Sequence, residues 1–197
     1  MLSERKREIL SAAGTCFSKY GYEKTTLDDI AGIVGINKAS FYYHFRNKEE
    51  IFKELITGEA DLFIRETIGK ADKVPDCKER ILTWISESFN YLQNNSILHQ
   101  LSFESLKTFR PFLIDLVQYS KQKGTEYLTE TLDFYSGQGK LKPVDTGKTA
   151  SVIQNIIYAL KDYLHQNTVS GQEPDIQEKI REDIRESVSM ILDGIIL

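Results

Sequence analysis

The sequence predicts an all-α protein, and three observations carry that reading. Apolar residues recur at three- and four-residue spacing along nearly the whole chain. No segment alternates apolar and polar residues as a half-buried strand would. The final stretch shows the pattern most plainly: Ile176, Ile180, Ile184, Val188, Ile191 and Ile195 are spaced 4, 4, 4, 3 and 4.

The elements follow in order. Ile9, Ala13, Cys16 and Tyr20, with Ala12 and Phe17 on the same stripe, make a first helix that Gly21 ends. Leu27, Ile30, Ala31 and Val34 make a second, opened by Thr26 and Asp29 at capping-box spacing and broken at Gly35. Asn37 can cap a short third helix on which Phe41 and Phe45 lie one turn apart. Asn47 and Glu50 open a longer fourth helix through Ile51, Phe52, Leu55, Ile56 and Phe63, and no proline occurs before Pro75. Ile81, Ile85, Phe89 and Leu92 mark a fifth helix, and Asn94, Asn95 and Ser96 read as a turn. A helical stretch from about Ile97 to Thr108 meets Pro111, where a new helix can begin. Residues 136–148 are the clearest loop. Two last helices, about 149–166 and 175–195, are separated by Ser170, Gly171 and Pro174.

Composition narrows the functional classes. Of 197 residues, 41% are hydrophobic and 27% charged, as in ordinary globular proteins. No apolar run approaches the roughly 20 residues that span a bilayer, and the charged N-terminus lacks a secretory signal, so a cytoplasmic protein without a membrane partner is expected. Two cysteines, Cys16 and Cys77, exclude a disulfide scaffold or zinc finger. The net charge of −4 is unevenly spread: residues 1–48 carry +3 and the remainder −7. Such asymmetry suits a protein that meets phosphate at one end only.

Residues 25–45 carry the function. Two short helices joined at Gly35 bury little alone, so they must cross steeply through Ile30, Ala31, Val34, Ile36, Phe41 and Phe45. This is a helix-turn-helix, whose second helix enters the major groove. The outward residues of that helix are Lys38, Ser40, Tyr42, Tyr43 and His44: cationic, hydroxyl-bearing or aromatic, and none acidic. The bland readings are solvated lysines, one core tyrosine and a structural histidine.

The run Arg7-Glu-Ile-Leu-x-Ala-Ala, Gly21-Tyr-x-x-Thr-Thr, Ile30-Ala, Val34-Gly-Ile-x-Lys38, Ser40-Phe-Tyr-Tyr-His-Phe and Asn47-Lys-Glu-Glu resembles the N-terminal domain of TetR-family transcriptional regulators. The match covers about the first 55 residues. It implies a homodimeric regulator that binds a double-stranded DNA operator, usually a repressor released by a small ligand. The family pattern assigns Thr26 and Lys48 to the phosphate backbone, and Lys38, Ser40, Tyr42 and His44 to bases or phosphates. Tyr43 could meet either.

The expected organisation is a DNA-binding domain at 1–46 and a helical regulatory and dimerisation domain at 47–197. The body holds 14 of the 21 aromatic residues. Trp84, Phe89, Phe103, Tyr119, Tyr127 and Tyr158 are candidates to line a pocket for a largely apolar effector, against the alternative of simple packed core. Ile153, Ile157 and Leu160 on one helix and Ile180, Ile184, Val188 and Ile191 on the next are expected at a homodimer interface, as half of a four-helix bundle. The alternative is that both stripes face the intramolecular core. No ligand spacing for zinc or iron occurs, with His99 and Glu104 the one distant metal pairing. No catalytic set and no cofactor motif occurs either. The rival readings are a small-molecule-binding module or a helical enzyme, each with a vestigial helix-turn-helix.

Overall fold

The computed structural model describes residues 3–95, 103–168 and 174–197, apart from the side chains at 94, 95, 103, 104, 106, 161–168 and 174–177. Its elements are α1 (Glu4–Tyr20), α2 (Leu27–Val34), α3 (Lys38–His44), α4 (Lys48–Ala71), α5 (Cys77–Asn95), α6 (Phe103–Gly137), α7 (Thr146–Thr168) and α8 (Pro174–Ile195). The described residues contain no strand, only an isolated bridge between Leu141 and Ile196. None of the described helices is long and apolar enough to cross a membrane.

The helix ends obey local chemistry. Ser3 accepts from the Lys6 amide at 3.3 Å and starts α1. At α2 the capping box is complete: Thr26 Oγ1 accepts from the Asp29 amide at 3.1 Å, and the Thr26 amide donates to Asp29 Oδ2 at 2.8 Å. Gly35 ends α2 in the left-handed region at φ 72°, a conformation that costs a side chain roughly 1–2 kcal/mol. Asn37 caps α3 by accepting from the Ser40 amide at 2.8 Å. At α4 the Glu50 amide donates to Asn47 Oδ1 at 2.8 Å, and the Arg46 amide donates to Glu50 Oε2 at 2.7 Å.

The sixth helix departs from expectation. Pro111 does not start a new helix; it lies inside the continuous α6. A proline in a helix interior removes a hydrogen bond and costs about 3 kcal/mol. Here Phe109 on one side of it and Phe112, Leu113 and Leu116 on the other all pack on one apolar cluster. That burial holds the two halves in a single helix.

Two compact units result, each with its own core. One comprises residues 1–62 and 94–117. Its core joins Ile9, Ala13 and Phe17 of α1, Ile30 and Ala31 of α2, Phe41 and Phe45, Ile51, Phe52 and Ile56 of α4, and Phe109 of α6. Phe109 meets the rings of Tyr22 and Phe52 at 4.8 and 4.3 Å. The other unit comprises 63–93 and 118–197, so α4, α5 and α6 each contribute to both. Its core joins Ile81, Trp84 and Ile85 of α5, Tyr127, Leu128 and Leu132 of α6, Ile153 and Ile157 of α7, and Ile180, Ile184 and Val188 of α8.

That second core takes five of the seven residues expected at the dimer interface. Ile153, Ile157, Ile180, Ile184 and Val188 are buried within their own chain, and the half-buried Leu160 and Ile191 pack against the same cluster. The reason is geometric. The apolar stripes of α7 and α8 are buried together in one core, and a side chain enclosed there cannot also meet a second copy.

The end of α8 is tied to the α6–α7 loop. The Lys142 amide donates to the Ile195 carbonyl at 2.8 Å, the Leu197 amide donates to the Lys140 carbonyl at 3.0 Å, and Lys142 Nζ donates to the Gly194 carbonyl at 2.9 Å. The two bonds from Lys142 satisfy carbonyls that the end of α8 leaves without intrahelical partners.

Candidate DNA-binding face and body cavity

Helix α3 presents its face because Phe41 and Phe45 take the other one inward, both almost fully buried. Lys38, Ser40, Tyr42 and Tyr43 are exposed, Tyr43 to 87%, and His44 is half-buried beside the Tyr43 ring at 5.2 Å. Lys38 Nζ is 3.8 Å from Asp28 Oδ1. Both groups are exposed, so this pair holds the lysine weakly and leaves it available to an anion. Five of the seven expected DNA-binding residues thus share one short helix.

Thr26 and Lys48 are placed differently. The Thr26 hydroxyl donates to Asp29 Oδ2 at 2.6 Å while accepting from the Asp29 amide. These bonds hold the Asp29 carboxyl below its ordinary value. The hydroxyl is exposed and can still rotate toward a phosphate. Lys48 Nζ donates to the carbonyls of Tyr22 at 2.7 Å, Glu23 at 3.2 Å and Thr25 at 2.8 Å, and it lies 4.3 Å from the centre of the Tyr22 ring. An ammonium has three N–H donors. All three are engaged, and partial burial lowers its pKa from the ordinary lysine value. The phosphate contact expected of this side chain has no donor left in this arrangement. Lys48 instead fastens the α1–α2 turn to the start of α4.

A second fastening comes from α6. Ser105 Oγ, buried, donates to Glu23 Oε1 on that same turn. The contact was hidden from sequence reasoning because the partners are 82 residues apart.

In the body, a cavity of about 20 Å³ is lined by Phe63, Trp84, Ile85, Ser88, Ser120, Gln154, Ile157 and Tyr158. Its volume is the room that one water takes. Of the expected lining residues, Trp84 and Tyr158 are present. Phe89 and Tyr127 are buried elsewhere in the core, the Tyr127 hydroxyl donating to Asp72 Oδ1 at 3.2 Å. Tyr119 is exposed, and the Phe103 side chain lies outside the described residues. Burial pushes the Tyr158 phenol up to about 12, so it stays neutral at physiological pH. Sequence reasoning missed the polar members Ser88, Ser120 and Gln154. Their one available signal was a polar residue interrupting an apolar helical face. No group of three or more potential metal ligands occurs among the described residues, and His99 lies outside them.

The family model for bacterial regulatory proteins of the tetR family matches residues 9–55, the segment that forms α1 to α3 and the start of α4. Over that segment the chain is similar to the tetR family of bacterial regulatory proteins. Relatives extend the likeness in two ways. The uncharacterized HTH-type transcriptional regulator YhgD of Bacillus subtilis is 25% identical, covering 81% of this chain and 84% of that one. The HTH-type negative transcriptional regulator IcaR of the biofilm operon icaADBC in Staphylococcus epidermidis is 49% identical over 59 residues, 30% of this chain and 32% of that protein. A solved transcriptional regulator from Cytophaga hutchinsonii shares the fold, with a TM-score of 0.80 at 22% identity, covering 99% and 100% of the two chains.

Proposed function

We propose that the regulator is a ligand-responsive repressor that binds a palindromic operator as a homodimer in the cytoplasm. The observation that carries the reading is the exposed row of Lys38, Ser40, Tyr42, Tyr43 and His44 on a helix whose other face is locked by Phe41 and Phe45. Residues 1–46 act as the DNA-binding domain and 47–197 as the regulatory one. Repression is supported by the negative regulator that shares half of its residues with this chain over the matched segment.

Dimerisation uses the outward faces of α7 and α8 in place of the buried stripes. Val152, Ile156 and Ala159 on α7 and Ser187, Met190 and Gly194 on α8 recur at helical spacing, and Met190 is 68% exposed. Two such faces related by a twofold axis form a four-helix bundle and hold two copies of α3 roughly 34–36 Å apart. A ligand in the body then lowers operator affinity by favouring another arrangement. A coupling of about 1–3 kcal/mol changes affinity 5- to 150-fold.

Fluorescence anisotropy with DNA from around the regulator's own gene tests this reading. Sequence-specific binding that survives excess non-specific DNA, at two protomers per site, supports it. Binding equal to that of random DNA overturns it.

A further inference from the structure

Gln154 of α7 is only 2% exposed, and its Nε2 donates to the Lys121 carbonyl of α6 at 3.3 Å. That bond orients the amide. The acceptor Oε1 is left buried with no partner among the described residues, and Gln154 lines the cavity. A buried acceptor without a partner is costly, so a donor belongs there.

A glycine leaves room for the Gln154 and Trp84 side chains. Gly124 lies inside α6, where glycine weakens a helix. A Cβ at that position would stand 2.6 Å from Gln154 Nε2 and 3.0 Å from Trp84 Cη2. Alanine would therefore make the Gln154 amide shift and crowd the Trp84 indole.

The rest of the lining defines the guest. Phe63, Trp84, Ile85 and Ile157 are apolar, Ser88 and Ser120 carry hydroxyls, and no lining residue is an acid or a base apart from the neutral Tyr158 phenol. Ser88 Oγ already donates to the Trp84 carbonyl at 2.8 Å. The nearby cation, Lys121 Nζ, lies over the Tyr158 ring at 5.6 Å. An ionised ligand would find no counter-charge in the lining.

We propose that this cavity seats the polar end of the effector, an uncharged small molecule with one hydroxyl or N–H on an apolar body, which donates to Gln154 Oε1. This rests on the ligand-responsive reading above. The present volume takes the donor group alone, so seating the apolar body displaces lining side chains. That displacement distinguishes the bound from the free state, as any ligand-driven shift requires.

The test compares 4-ethylphenol with 4-ethylanisole, which differ in the donor, by calorimetry on the full chain. The phenol should bind at least tenfold more tightly, since the ether leaves Gln154 Oε1 unpaired. In Gln154→Leu the preference should vanish while the ether binds no worse. Gln154→Met serves the same purpose should the leucine variant not fold, and the wild-type comparison stands without either. Equal affinities, a preference that survives in the variants, or no binding of either compound overturns the proposal and leaves the seat to a structural water. Operator binding is measured in parallel. Specific DNA binding without phenol binding sinks this site alone. Phenol preference with unchanged operator affinity keeps the donor seat and sinks the ligand-responsive reading.

Discussion

Lys48 Nζ, on the first turn of α4, donates to the Tyr22 carbonyl at 2.7 Å, on the turn that leads into α2. With Glu23 and Thr25 it completes three charge-assisted bonds to backbone oxygens of one turn. This lysine ties the turn that precedes α2 to the start of α4.

The consequence is measurable in a salt titration. Each phosphate contact contributes about 0.9 to the slope of log affinity against log salt. Lys48→Ala should weaken operator binding by disordering the turn yet leave that slope unchanged. A slope lower by about one would restore the phosphate role. Urea unfolding should show a loss of roughly 1–3 kcal/mol, the cost of stranding partly buried carbonyls.

The exposed face of α3 predicts a different pattern. Tyr42→Ala or His44→Ala should reduce specific binding by about 1–3 kcal/mol where the group contacts a base. Tyr43→Ala, at the most exposed of these positions, should leave the unfolding midpoint unchanged while lowering operator affinity. Anisotropy against matched and mismatched operators reads both. Affinity that falls equally for all sequences would assign these residues to the backbone.

The capping box predicts a pH dependence. Hydrogen bonds from Thr26 hold the Asp29 carboxyl below its ordinary value of 3.8. A carboxylate depressed on folding contributes stability that is present above the unfolded value and lost as pH falls through the folded one. The difference in unfolding midpoint between wild type and Asp29→Asn should be constant near neutrality and close below about pH 3.8. A difference that persists in strong acid would remove the ionised cap from the account.

The two faces of α8 separate folding from assembly. Ile184 is fully buried, so Ile184→Ala should cost about 2–5 kcal/mol by leaving a cavity. Met190→Glu should leave the protomer folded and shift sedimentation toward 22.6 kDa. Dimers that survive both Met190→Glu and Val152→Glu would place the interface elsewhere.

The sequence by itself determined the helices of the helix-turn-helix segment and the residues on its outward face. Caps, glycine stops and the Phe41–Phe45 spacing act within a few residues, so local chemistry writes them directly into the chain. It also determined that α7 and α8 each have an apolar stripe, but not what the stripes would meet. Only tertiary structure decided that Ile184 and Val188 turn inward, that α6 runs through Pro111, and that the Lys48 ammonium serves Tyr22, Glu23 and Thr25. The same holds for the cavity, where Gly124 of α6, Gln154 of α7 and Trp84 of α5 meet. A helical period records that a face is buried, because burial of one face follows from the pitch of the helix alone. It does not record the partner, because any apolar surface of fitting shape satisfies the same pattern, and packing among distant segments makes that choice.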